Sequence, residues 1–101
     1  MICFKIHIKQ RKRILAACDE GLLGKKLSEG KIVMDLKKHR GFYEGEKTDG
    51  AGLVEEIKKR GIDSYNFVGK ESVAAGVKAK VMEEGCEQMV AGVPHVQVYR
   101  I

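Results

Sequence analysis

Proline occurs once in the 101 residues, and with 44% hydrophobic and 33% charged side chains this excludes the compositions that keep a chain unfolded. Cysteine occurs three times, as Cys3, Cys18 and Cys86, an odd and widely spaced set that fits a reducing cytoplasm better than a disulfide framework. Long apolar runs are missing: none approaches the roughly 20 residues needed to cross a bilayer. The first residues alternate apolar and polar side chains instead of passing from a positive segment into a continuous apolar one, so they do not read as a signal peptide. No stretch gathers a nucleophile, a metal cage or a phosphate cradle, so no cofactor is implied and an enzyme is not the leading reading. A cytoplasmic location follows by elimination.

The chain has enough apolar side chain for one core, and its length suits one domain covering residues 1–101, folding as a monomer or small homo-oligomer. Nineteen Lys and Arg against fourteen Asp and Glu leave a net charge of +5, a balance that favours polyanionic partners and is also common without them.

Ile2, Phe4, Ile6 and Ile8 alternate with Cys3, Lys5, His7 and Lys9, which predicts a strand with one wet side. A three-residue loop, Gln10 to Lys12, would pair Lys9 with Arg13, Ile8 with Ile14 and Phe4 with Cys18, keeping apolar residues opposite one another. Asp19 to Gly24 reads as one helical turn started by Asp19 and stopped by Gly24. Ile32, Met34 and Leu36 mark a third strand, and Phe42 to Glu46 is a short strand or an irregular loop. Thr48 or Asp49 caps a helix over Ala51 to Arg60, with Gly61 as its stop and Ile62 folding back on Ile57. Tyr65 to Val68 is a strand, Lys70 to Glu84 a second helix ending at Gly85, and Val96 to Ile101 a last strand after a Gly92-Val93-Pro94 turn. An early hairpin with late helices predicts an α+β two-layer sandwich: a mixed, mostly antiparallel sheet of about five strands with two helices on one face.

Ala16-Ala17-Cys18-Asp19 running into Leu22-Leu23-Gly24-Lys25, then Phe42-Tyr43, Val68-Gly69, Gly92-Val93-Pro94-His95 and Arg100-Ile101 give the chain a second kind of signal. In this ordered set it resembles an archaeal family known as a domain of unknown function, number four-two-four, over nearly its whole length. The resemblance implies an archaeal cytoplasmic protein loosely associated with RNA or translation, and it carries over no catalytic residue. The basic Lys9 to Arg13 turn has no match in the family pattern.

Three cationic groups fall at turns: Lys9 with Arg11, Lys12 and Arg13; Lys25 with Lys26; and Lys37 and Lys38 with His39 and Arg40, followed by Phe42 and Tyr43. Cations beside a ring on which a base can stack are what an RNA binder requires, and turns are also charged simply because they are solvated. Gly21-Leu22-Leu23-Gly24-Lys25 resembles a Gly-x-x-Gly phosphate clamp, but the two leucines fit a glycine-stopped turn with buried side chains equally well. Gly69 and Lys70 open a helix directly after a strand, where free N–H groups can hold an anion, whereas Ser64 stands where a nucleotide-hydrolase loop needs glycine. Cys3 and His7 share a strand face without a third metal ligand, and His95 after Pro94 could act as a base if Asp35 or Asp63 lay near it. The leading expectation is a small RNA or ribonucleoprotein binding module. The alternatives are a protein-interaction factor using an edge strand or apolar patch, and an enzyme holding a small anion at Gly69.

Overall fold

A computed structural model describes residues 1–59 and 61–99. β1 (Ile2–Lys9) and β2 (Lys12–Asp19) form a hairpin, followed by a 3-10 turn (Glu20–Leu22) and a second hairpin of β3 (Lys26–Glu29) and β4 (Ile32–Asp35). Then come α1 (Arg40–Tyr43), β5 (Glu46–Thr48), α2 (Gly50–Lys59), β6 (Ser64–Val68), α3 (Lys70–Lys78), β7 (Gln88–Val90) and β8 (Val93–Tyr99). The main sheet has six strands in the order β5-β1-β2-β6-β8-β7, and β3 and β4 pair only with each other. Every pairing is antiparallel except β2 with β6.

The α+β class and the placement of both long helices on one face are as the sequence predicts. Ile2, Phe4, Leu15, Ala17, Tyr65, Phe67 and Val96 from the strands meet Leu53, Val54 and Ile57 of α2 and Val73 and Ala75 of α3 in one core. Phe67 and Leu15 are fully excluded from water, each contributing about 1.5–3 kcal/mol of apolar transfer. The sheet is one strand wider than expected. Its other face also carries a second, smaller core in which Ala16, Cys18 and Val68 of the sheet pack on Leu36 and Tyr43, with Leu22, Leu23, Leu27, Met34 and Phe42 around them.

Four local expectations change. The first turn contains two residues, so Lys9 faces Lys12, Ile8 faces Arg13, Phe4 faces Ala17 and Cys3 faces Cys18. Gln10 and Arg11 take positive φ of 51° and 66°, the twist that a tight hairpin requires even though neither is glycine or asparagine. Phe42 and Tyr43 lie in a short helix instead of a strand or loop. The helix α3 ends at Lys78, with Lys80 at φ 62°, well before Gly85, and Cys86 beyond it is exposed. The last turn is Ala91-Gly92, which leaves Pro94 inside β8.

The other punctuation reads as expected. Asp49 Oδ1 accepts the Gly52 N–H at 2.7 Å to start α2, and Gly61 at φ 58° follows its end while Ile62 shares the core with Ile57. The predicted Arg60 terminus and the strand end at Arg100 and Ile101 lie outside the described residues.

Candidate functional site

Strand alternation places Cys3, Lys5 and His7 of β1, Ala16 and Cys18 of β2, Asn66 and Val68 of β6, and His95 and Gln97 of β8 on the face away from the long helices. Three polar side chains from that face fix α1 above it. Lys5 Nζ donates to the Gly41 carbonyl at 3.2 Å, His7 Nε2 donates to the Phe42 carbonyl at 2.8 Å, and the Tyr43 hydroxyl donates to Asn66 Oδ1 at 3.1 Å. The His7 and Phe42 rings stack with centroids 4.6 Å apart and planes 12° from parallel, and Phe42 meets Tyr43 edge to face at 5.1 Å. Cys3 and His7 therefore serve packing and anchoring, and among the described residues no group of three His, Cys, Asp or Glu could hold a metal ion.

Between this anchored helix, the β3–β4 hairpin and strands β6 and β8 lies a cleft of about 620 Å³. Lys26, Asp35, Lys38, His39 and Phe42 form much of its wall, with Tyr43, Asn66, His95 and Gln97 on the sheet side. That volume lies in the ordinary range for small-ligand sites. Two of the three cationic groups thus send residues to one place. The main-chain N–H groups of Lys37 and Lys38 donate to Asp35 Oδ1 at 3.2 and 2.9 Å, which holds the Asp35 carboxyl below its ordinary range. Burial pushes His95 down from its ordinary value, so its imidazole is neutral near pH 7. Burial also pushes the Tyr43 phenol up to about 12, so it is a hydrogen-bond donor at any physiological pH.

The remaining expected residues lie elsewhere. Lys25 and Lys37 are exposed neighbours of cleft residues, and Arg40 is paired with Glu44 at 2.9 Å. Lys9, Arg11, Lys12 and Arg13 stay at the β1–β2 turn, where Asp63 Oδ2 accepts the Arg13 N–H at 2.8 Å. Asp63 is therefore committed away from His95, while Asp35 does share the cleft with it. Leu22 and Leu23 pack into the smaller core and Gly24 takes φ 85°, the geometry of a glycine-stopped turn.

Asp19 does not cap its own turn. Its carboxylate crosses to α3 and accepts the N–H groups of Glu71 at 3.0 Å and Ser72 at 2.8 Å, together with the Ser72 hydroxyl at 2.8 Å. The helix start that Gly69 and Lys70 open was expected to hold an anion; instead the Gly69 N–H donates to the Pro94 carbonyl at 2.8 Å, and the carboxylate at that start is the chain's own Asp19. A hollow of about 280 Å³ beside Gly69 and Lys70 is lined by Asp19, Leu22, Val93 and Pro94, and His95 does not reach it.

Sequence reasoning did not place Asn66 and Gln97 in a site. Both are amides in predicted strands, and only the parallel β2–β6 pairing, which places Asn66 beside Ala16, shows that they floor a cleft.

No curated protein matches the chain. A crystal structure of an uncharacterized conserved protein from Methanopyrus kandleri superposes with a TM-score of 0.86 at 25% identity, covering 99% of this chain and 91% of that one. A family model described as "Protein of unknown function (DUF424)" matches residues 6–101, and the chain belongs to that family.

Proposed function

We propose that this protein binds single-stranded RNA, alone or within a ribonucleoprotein, and that the cleft between the β3–β4 hairpin, α1 and strands β6 and β8 seats a nucleotide. The observation that carries the reading is convergence: Lys26 and Lys38 come from separate cationic turns and meet at one cleft with Phe42 and Tyr43. Lysines there neutralise phosphate while the half-buried Phe42 ring, and not the buried Tyr43, offers a stacking surface. The first turn extends the same path. Lys12 lies on the cleft side of β2 by alternation, four strand positions from Ala16, whose partner is Asn66, and so roughly 13 Å from the cleft floor, a span of a few nucleotides. Translation association is the biological setting this reading fits.

The test is fluorescence anisotropy of a labelled random-sequence RNA 12-mer, titrated at several KCl concentrations. Binding that weakens steeply with salt is expected, and replacing Lys26 and Lys38 by Gln lowers the magnitude of the log–log salt slope by about 1.4. Neutralising Arg11, Lys12 and Arg13 together weakens binding further. Absence of binding at low salt removes the reading.

One observation favours a second reading, a protein partner. The β3–β4 hairpin touches the short edge strand β7, and Ile32, Val33 and Met89 on these elements are about half exposed. Selective loss of a co-purifying protein on replacing Ile32 and Val33 by Ser, with RNA binding intact, would support it.

A further inference from the structure

The floor of the cleft has a chemical polarity. Asn66 and Gln97 stand directly opposite each other in the β6–β8 pairing. The Tyr43 hydroxyl donates to Asn66 Oδ1 at 3.1 Å, and the Tyr99 hydroxyl donates to Gln97 Oε1 at 3.2 Å. Each carboxamide oxygen is thus engaged by a tyrosine, and the amino groups are what the pair offers to a ligand. Residues opposite each other in an antiparallel pair keep their Cβ atoms about 5 Å apart, close enough for two amino groups to address adjacent acceptors on one planar molecule. Asp35, also lining the cleft, comes from the hairpin wall and not from the sheet, and brings a carboxylate, an acceptor only. An occupant therefore meets N–H donors from the sheet and an acceptor from the hairpin.

Resting on the reading of this cleft as the RNA seat, we infer that it selects a guanine base, the Asn66 and Gln97 amino groups donating to N7 and O6 and Asp35 Oδ2, the oxygen that the Lys37 and Lys38 N–H groups do not use, accepting from N1–H and the exocyclic amine. Guanine is the ordinary base that carries two adjacent acceptors on one edge and two adjacent donors on another. Adenine would set its exocyclic N–H against the amino groups of the floor and a ring acceptor against the carboxylate. Uracil alternates acceptor and donor, and cytosine has a single donor group. Tyr43 and Tyr99 act as positioning residues, since each holds one of the two carboxamides by its oxygen.

Labelled uridine heptamers whose central base is replaced by guanine, adenine, cytosine, hypoxanthine or 7-deazaguanine test this by anisotropy. Guanine is expected to bind about ten-fold tighter than adenine, with hypoxanthine, which lacks the exocyclic amine, and 7-deazaguanine, which lacks N7, each losing part of that advantage. Asp35→Asn keeps an acceptor for the Lys37 and Lys38 N–H groups, and Gln97 is exposed, so both Asp35→Asn and Gln97→Ala are compatible with the fold. In each the guanine-to-adenine ratio should fall towards one. Equal binding of all heptamers to the parent protein overturns guanine selection and leaves RNA binding standing. A guanine preference that survives in both variants places the base elsewhere and also overturns it. Failure of every heptamer to bind removes this inference and the RNA reading together.

Discussion

Asp19 grips Ser72 twice, its Oδ1 accepting both the backbone N–H and the hydroxyl at 2.8 Å, and so ties the end of β2 to the first turn of α3 across 53 residues of sequence. Asp19→Ala leaves the helix start without its carboxylate and should cost about 2 kcal/mol in urea unfolding. Asp19→Asn, which keeps an acceptor oxygen, should cost less. Equal stability of the parent and the alanine variant would contradict this assignment.

Gly69 precedes that helix at φ 104°, and a Cβ at this position would run into the Asp19 carboxylate. Gly69→Ala therefore suffers both backbone strain and displacement of the cap, and a loss of at least about 2 kcal/mol is expected in the same measurement. Combining it with Asp19→Ala should give less than the sum of the two losses, because the two residues share one contact.

The turn at Gln10 and Arg11 holds two ordinary side chains in left-handed geometry. Replacing the pair by Asn-Gly, the residues that such a turn favours, should stabilise the protein by about 1 kcal/mol. The same variant loses the Arg11 charge, so RNA binding should weaken while the melting temperature rises.

Burial pushes the Cys18 thiol from 9.0 and the Tyr43 phenol from 10.0, both up to about 12. For an acid with a raised folded value, the contribution to stability is complete below the unfolded value and is lost as pH rises towards the folded one. The urea midpoint should thus decline from pH 9 to about pH 12, the Cys18 part beginning first. Cys18→Ala should make the decline between pH 9 and pH 10 shallower, the Cys3 thiol, which burial also pushes up from 9.0, keeping part of it and Tyr43 taking over above pH 10.

Elements punctuated by local chemistry were legible in the sequence: the strand over Ile2 to Ile8, although its expected wet side buries Cys3 and Ile8 is exposed, the Asp49 start of α2, its Gly61 stop with Ile62 against Ile57, and the Gly69 start of α3. What escaped was non-local or unmarked. Gln10 and Arg11 do not announce positive φ, and Lys80 ends α3 without a glycine. In β3, Leu27 is partly buried among exposed neighbours, too weak an alternation to mark a strand. The cleft drew its cations and rings from motifs that could be seen, but its amide floor became visible only through pairings between distant strands.

The parallel seam between β2 and β6 joins strands separated by everything from Glu20 to Asp63. The β1–β2 ribbon needs only a tight turn and can assemble early, whereas the seam must wait until a long excursion has closed. Both cores draw on residues from either side of it, so neither can mature before the two halves of the chain meet. The cleft would accordingly be among the last features to form, and a nascent chain released before β6 emerges would lack the Asn66 side of its floor.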